Sequence, residues 1–573
     1  MENKSLELFW LGKNHNNVIE PRLLIENNLL SFASANTNFF EEPSCDNMLI
    51  HGDNLLALKA LENKYSNLVK CVYIDPPYNT GSAFEHYDDN VEHSIWLNLM
   101  NDRLRIIYNL LSDDGLLFVQ IDDNEQAYLT VLLDEIFGRD HHMNTICVKM
   151  SEASGVKMAH ADKRLPKLKE YILVYYKKNA PEINVDKIPL DKWNNEYKQI
   201  ITNISDEDLN FVKNCAISEN VESAEVDKCN KILKQAKIVP LIDYAKKQKI
   251  SIDDEWKFKN AQRIIQAVGS SSVFALLKRS KILEQDIMCA RSSTGLMYMM
   301  KTDVNLSSKQ PRVQIIFADW NLKTNPGDLW TDIKTTGGVG QEGGVLFANS
   351  KKPEKLIKRI IGMCTKPGDL ILDSFLGSGT TAAVAHKMGR RWIGIEMGDH
   401  AYTHCKKRLD LVISGLDNSG ITTEVGWSGG GGYKFYELAP TLINIDALGE
   451  PIINKTYNAE MLASAVALHE GFKYSPDSNC FWKQSKSNEN SYLFVTTNHL
   501  TVELLKEIHN KMADDEFLLI ACKSFEKACT EYSDKIKIKK IPQMLLGKCE
   551  FGKDNYNLNI VNPPVYEENE DDE

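Results

Sequence analysis

The stretch GDLILDSFLGSGTTAAVAHKMGRRWIGIEM (368–397) constrains the fold more than any other. It reads as an apolar strand, a loop holding Gly377 and Gly379, a helix opening on Thr380-Thr381, and a second apolar strand. Two parallel strands must be joined by a crossover, so this unit predicts a parallel sheet covered by helices. The glycines let backbone approach a ligand closely, and the helix N-terminus favours an anionic group. Glu396 ends the second strand, where a carboxylate suits ribose hydroxyls. No Gly-Lys-Ser/Thr follows the loop, so it is not a Walker A segment, and it is not GxGxxG either.

A second strand ends abruptly at YIDPPYNTG (73–81). Pro76 and Pro77 cannot donate to a ladder, and Asp75 before a proline is pushed into extended backbone. This gathers a carboxylate, a free proline carbonyl and the Tyr78 ring at a strand's C-terminal edge, where α/β sheets bind ligands. Strand–helix alternation surrounds it, from NMLIHGDNLLALKAL (47–61) through the helix and strand of 101–122 to KEYILVYYKK (169–178). Residues 183–310 break that rhythm with charged, helical-looking stretches such as WKFKNAQRIIQAV (256–268). The alternation resumes at 311–432, so one sheet is split in sequence by an insertion. The predicted domains are a 1–45 extension, core halves at 46–182 and 311–432, the 183–310 insertion, a small α/β domain at 433–565, and an acidic tail at 566–573. Trp427 and the glycine run 429–432 read as a hinge before that small domain.

At 573 residues the chain needs several domains. No apolar run is long enough to cross a membrane. The N-terminus has no signal-peptide pattern, and twelve cysteines without a CxxC pair predict reduced thiols and a cytoplasmic location. His51, His86, His93 and the pair His141-His142 have no metal-ligand spacing with the cysteines, so no metal is expected. Net charge is −12, which at first argues against nucleic acid, but six negative charges sit in the last eight residues. Lys149 to Lys178 carries eight Lys/Arg against three acids. Local patches decide phosphate docking, and Lys157, Lys163, Arg164, Lys167 and Arg263 are the candidate contacts. Asp122-Asp123 follow a strand and are read either as part of a base pocket or as a solvated turn.

Asp75-Pro76-Pro77-Tyr78 together with Asp373-Ser374-Phe375-Leu376-Gly377-Ser378-Gly379-Thr380-Thr381 resembles the β class of S-adenosylmethionine-dependent DNA amino-methyltransferases, with Asp373 where that family form has Gly. The blocks HGDNLLALKAL, LLSDDGLLFVQIDDNEQAYL, LWTDI, KPEKLIKRII and HKMGRRWIGIEM add a likeness to type III Mod subunits. The resemblance implies a Rossmann-like, seven-stranded, circularly permuted methyltransferase sheet with a target-recognition insertion. It implies that Asp53 meets the cofactor's adenine amine, that Glu396 meets its ribose, and that Asp373 and Phe375, Gly377, Ser378, Gly379 and Thr380 hold its methionine half. Asp75 and the Pro76 carbonyl would accept the hydrogens of a target amino group, freeing its lone pair, while Tyr78 stacks on a base taken out of duplex DNA.

Adenine N6 is the expected target, with cytosine N4 and a catalytically silent recognition subunit as alternatives. A second Asn-Pro-Pro-Val run at 562–565 lacks the aromatic and any cofactor loop, and reads as a linker. The resemblance further implies a homodimer and a large helicase–nuclease (Res) partner, since this sequence has neither a Walker A loop nor a nuclease core.

Overall fold

The computed structural model describes residues 7–14, 18–34, 46–79, 89–151, 165–305, 311–334, 338–347, 351–487, 490–554 and 556. They form two compact units, 187–326 and the remainder of the chain.

The larger unit is organised by an eleven-stranded sheet. Its strands are β1 (Leu24–Glu26), β2 (Phe32–Ala33), β3 (Asn47–His51), β4 (Val69–Ile74), β5 (Leu111–Ile121), β6 (His142–Lys149), β7 (Lys169–Tyr176), β8 (Leu329–Trp330), β9 (Leu370–Asp373), β10 (Arg391–Glu396) and β11 (Gly432–Leu438). In space they run β1-β11-β3-β10-β9-β4-β5-β7-β6-β8, with β2 also on β11. Strands β11 to β5 are mutually parallel, and β7 runs antiparallel to both β5 and β6. This is the Rossmann-like methyltransferase sheet, seven strands from β3 to β6. It is wider than expected because the N-terminal extension, β8 and β11 add four more.

Helices α1 (Asn54–Tyr65), α2 (Asp89–Leu110) and α3 (Gln126–Phe137) cover one face of the sheet, and α4 (Glu354–Cys364) and α5 (Thr380–Lys387) the other. Strands covered on both faces carry continuous apolar runs; Val69, Cys71, Val72, Tyr73 and Ile74 of β4 are all buried. The two faces make two large apolar clusters, one around Trp96, Leu104 and Leu133, the other around Ile357, Ile371 and Trp392.

The inserted unit differs from expectation in three respects. The separate unit is 187–326 rather than 183–310, because Arg312–Phe317 pairs with Ile264–Gly269 instead of returning to the large sheet. Although its sequence shows few sheet-like runs, this unit is built on a six-stranded antiparallel sheet. The stretch 256–268 is a short helix, Asp254–Lys259, followed by the strand Ile264–Gly269, not one helix.

The glycine run at 429–432 is not a hinge. Gly430 N–H donates to the Ile413 carbonyl at 2.8 Å and Gly432 opens β11. A side chain on Gly432 would meet Ala33 Cβ at 2.8 Å, so glycine allows β2 and β11 to approach. Trp427 likewise packs inward, its indole donating to the Val412 carbonyl at 2.7 Å. After β11 comes a smaller five-stranded sheet with the helices Ala459–Glu470 and Val502–Lys511.

Candidate active site

Register places the chemically distinctive residues on one edge. Asp373 of β9 lies level with Gly394 of β10, Glu396 with His51 of β3, and Ile74 with Val119 of β5. The turns leaving β3, β4, β9 and β10 therefore open side by side at the C-terminal end of the sheet. Strand β4, which delivers Asp75, is the immediate neighbour of β9, which delivers the glycine loop.

In the glycine loop, Gly377 and Gly379 have φ of +55° and +80°, left-handed values that favour glycine. A side chain at Gly379 would press on Cys405 Cα at 3.2 Å, whereas the space beside Gly377 is open. Asp373 turns its carboxylate back onto the loop, accepting the Phe375 N–H at 2.9 Å. Burial pushes its carboxyl up to about 7, with the Asp75 and Glu396 charges adding to that and the Thr381 and Phe375 hydrogen bonds opposing it.

Glu396 ties the loop to the next turn, accepting Gly377 N–H at 2.7 Å and Gly398 N–H at 3.1 Å. Burial raises its pKa. Ser374 Oγ is buried and has no hydrogen-bond partner among the described residues. Behind the loop, the buried Arg408 donates to Thr380 Oγ1 at 2.7 Å, and Ser378 Oγ lies 3.1 Å from the same hydroxyl. An open space beside a left-handed glycine, an orphaned hydroxyl, the buried Asp373 and the half-buried Glu396 fit a ligand with an amino-acid end and a ribose.

Asp53 does two things at once. Its Oδ1 caps α1 by accepting the Leu55 and Leu56 N–H groups at 2.9 and 3.1 Å. Its Oδ2 accepts the Tyr556 N–H at 3.0 Å and sits 3.4 Å from the buried Arg103 guanidinium. The resemblance that sets Asp53 against an adenine amine carries no hint of either contact.

At the Pro-Pro turn, Pro76 is buried, Pro77 is exposed, and the Pro77 carbonyl accepts the Trp96 indole N–H at 2.7 Å. Tyr78 Oη lies 2.6 Å from Asp75 Oδ1 and 2.8 Å from Glu170 Oε2, with one hydrogen to share between two carboxyls. Gln120 Nε2 donates to Glu170 Oε2 at 2.5 Å, while its Oε1 accepts from Tyr73 Oη at 2.6 Å. Lys352 completes the group, its Nζ 2.8 Å from Asp75 Oδ2 and 3.6 Å from Glu170 Oε2, and 5.3 Å from the centre of the Tyr78 ring. Burial raises the Asp75 pKa, Glu170 adds to this, and Lys352 opposes it.

Glu170 and Lys352 are absent from the sequence-based site. Glu170 arrives because β7 is antiparallel, which brings its start to the edge where parallel strands end. Lys352 precedes α4, far along the chain.

The expected phosphate contacts fare unevenly. Lys157, Lys163 and Arg164 lie outside the described residues, as do His86 and the 562–565 run. Lys167 pairs with the buried Asp122 at 2.6 Å, and Asp123 with Lys169 at 2.7 Å. Arg263, in the separate unit, holds Asp206 at 2.7 Å and donates to the Ile204 carbonyl at 3.0 Å, so it braces its own unit. Among the described residues no cluster of three or more His, Cys, Asp or Glu side chains is arranged to hold a metal ion.

A parallel sheet with a glycine loop and an Asp-Pro-Pro-Tyr turn on adjacent strands defines a methyltransferase-type protein. Residues 69–407 match the DNA methylase family of N6 and N4 enzymes, and the chain belongs to that family. It is 35% identical over 419 residues, 69% of this chain and 54% of the relative, to a Haemophilus influenzae protein named as a type III restriction–modification HindVI Mod subunit. It is 26% identical to the EcoP15I type III Mod subunit of Escherichia coli, over 68% of this chain and 63% of that one. To the type II methyltransferase M.KpnI of Klebsiella pneumoniae it is 27% identical, over 58% and 75% of the two chains. The match thus spans a little over half to under two thirds of the Mod subunits' own lengths. The solved PvuII cytosine-N4 DNA methyltransferase aligns with 68% of this chain and 94% of its own at 14% identity and a TM-score of 0.34.

Proposed function

We propose that this chain is a sequence-specific DNA methyltransferase that modifies adenine N6 using S-adenosylmethionine, as the Mod subunit of a type III restriction–modification system. The observation that carries the reading is the pairing of β4 with β9, which sets the Asp75–Tyr78 turn beside the Gly377–Gly379 loop. S-adenosylmethionine, when bound, supplies an electrophilic methyl group on a sulfonium. Glu396 would accept from its ribose hydroxyls, and Asp53 would meet its adenine amine by exchanging one of the four hydrogen bonds that its carboxylate accepts. The amides of the glycine loop and Asp373 would hold its carboxylate and ammonium.

Asp75 and the Pro76 carbonyl accept the two hydrogens of the target amine, so that its lone pair leaves conjugation with the ring. The Tyr78 ring offers a stacking face to the extruded base, worth about 1–3 kcal/mol. Catalysis of this kind is positioning and electrostatics, with no covalent bond to the protein.

Unit 187–326 is proposed as the target-recognition part. It carries 22 Lys/Arg against 17 Asp/Glu in a chain whose net charge is −12. Lys231, Lys234, Lys281 and Arg291 line an open cleft of about 660 Å³ there. Double-stranded DNA is the proposed substrate. The likeness to Mod subunits supports a homodimer, a Res-type helicase–nuclease partner and a cytoplasmic location; no described helix is long and apolar enough to cross a membrane. Long-read sequencing of DNA from cells expressing this chain is expected to show N6-methyladenine at one short motif, and that motif is expected to change when 187–326 is exchanged for a relative's segment. A genome without modified bases, despite folded protein, would sink the reading.

A pH dependence follows from Asp373. With its carboxyl pushed up to about 7, the group is largely neutral below that value and cannot pair with an ammonium. Cofactor affinity in calorimetry is therefore expected to fall roughly tenfold for each pH unit below about 7. Asp373→Asn should flatten that slope.

A further inference from the structure

Burial and the Glu170 charge disfavour an ionised Asp75, and the Lys352 ammonium, with the Tyr78 hydroxyl, offsets them. Lys352 is almost fully buried, at 8% exposure, and its Nζ is 2.8 Å from Asp75 Oδ2. A buried ammonium is costly unless paired, so its placement there has to be matched by carboxylates. Two are present, Asp75 and Glu170, the second at 3.6 Å. Tyr78 Oη adds one shared hydrogen to the same two carboxyls.

An amine clamp needs an acceptor, and a protonated Asp75 would present a donor on one oxygen. Each carboxylate oxygen has two acceptor sites, so Asp75 can hold Lys352 and Tyr78 and still receive an amino hydrogen. We propose that Lys352 is a positioning residue of the methylation site, its ammonium fixing Asp75 as an anion able to accept the target's amino hydrogen. This rests on the methyltransferase reading above.

The charged and titratable groups facing Asp75 are Lys352 from the segment before α4, Glu170 from β7, Tyr73 and Tyr78 from its own segment, and Asp373 from β9. Burial raises the Asp75 pKa and Lys352 lowers it. Loss of the ammonium therefore moves the pH below which the clamp fails upward. Loss of the Glu170 charge moves it downward, because Glu170 acts in the raising direction.

The test is single-turnover transfer of a radiolabelled methyl group from saturating S-adenosylmethionine to DNA. It is read from about pH 5.5 to 9.5 for the full chain and for Lys352→Met, Lys352→Arg and Glu170→Gln. Lys352→Met is expected to shift the acid limb up by about one unit or more, so that its deficit is roughly tenfold greater at low than at high pH. Lys352→Arg should keep the wild-type limb, Glu170→Gln should shift it down, and cofactor affinity should stay within about twofold in each.

A Lys352→Met limb at the wild-type position, or a loss equal at every pH, would overturn the proposal. If Lys352→Met does not fold, an unmoved limb in Glu170→Gln overturns it instead. A wild-type chain that methylates no DNA would refute the methyltransferase reading itself, a different outcome from a wild-type chain that methylates with an unresponsive limb.

Discussion

Asp75→Ala is expected to reduce methyl transfer by about 10³-fold while leaving S-adenosylmethionine affinity within about twofold. The carboxylate lies on the turn after β4, hydrogen-bonded by Tyr78 and paired with Lys352, whereas the proposed cofactor contacts belong to the turns after β3, β9 and β10. Removing the carboxylate takes away the proposed acceptor of the amine's hydrogen without touching the glycine loop. Asp75→Asn keeps one acceptor oxygen, so a smaller loss is expected from it. A radiolabel assay beside calorimetry separates the two quantities, and a parallel fall in transfer and cofactor affinity would contradict the assigned role.

The second large effect concerns stability. Glu354, at the first turn of α4, is fully buried, and its oxygens hold Lys387 Nζ at 2.7 Å, Arg408 Nη2 at 2.8 Å and the Ile421 N–H at 3.0 Å. Lys387 also reaches the buried Asp417 at 2.6 Å. Glu354→Ala leaves two buried cations with one carboxylate between them. Breaking a buried pair from one side costs about 3–5 kcal/mol, and the denaturation midpoint is expected to fall accordingly. Arg408 also holds Thr380 of the glycine loop, so cofactor affinity should weaken in the same variant. A midpoint unchanged within error would show that water reaches this network and compensates the loss.

What could be read from the sequence was local. Two prolines stop a strand wherever it lies, and glycines at 377 and 379 announce a tight turn before a helix. Asp75, Tyr78, Gly377, Gly379 and Glu396 were therefore visible as residues at strand ends. What could not be read depends on which strands become neighbours. Glu170 belongs to the site only because β7 runs backwards, and Lys352 only because α4 packs where it does.

The insertion was mis-bounded for a related reason. An apolar run such as Val313–Phe317 gives no sign of the sheet it joins. Ile264-Ile265 within 256–268 suits either period, and pairing with Gln199–Thr202 and Arg312–Phe317 decides for strand. Arg263 illustrates the limit for charge: its sequence reads as basic surface, but Asp206 takes up the guanidinium.

The order of strands also sets the order of events at the ribosome. Strands β3 and β4 are made early and never touch; β9 and β10, made some 300 residues later, lie between them. At about 5–20 residues per second, β4 waits on the order of tens of seconds for the partner on that side. An edge left open that long is a template for wrong pairing, and contacts so distant in sequence are slow to form. The nascent chain thus holds the Asp75 turn and the glycine loop as separate pieces. Closing the gap between β3 and β4 brings the two pieces together, so a chain that ends before β10 lacks the assembled site.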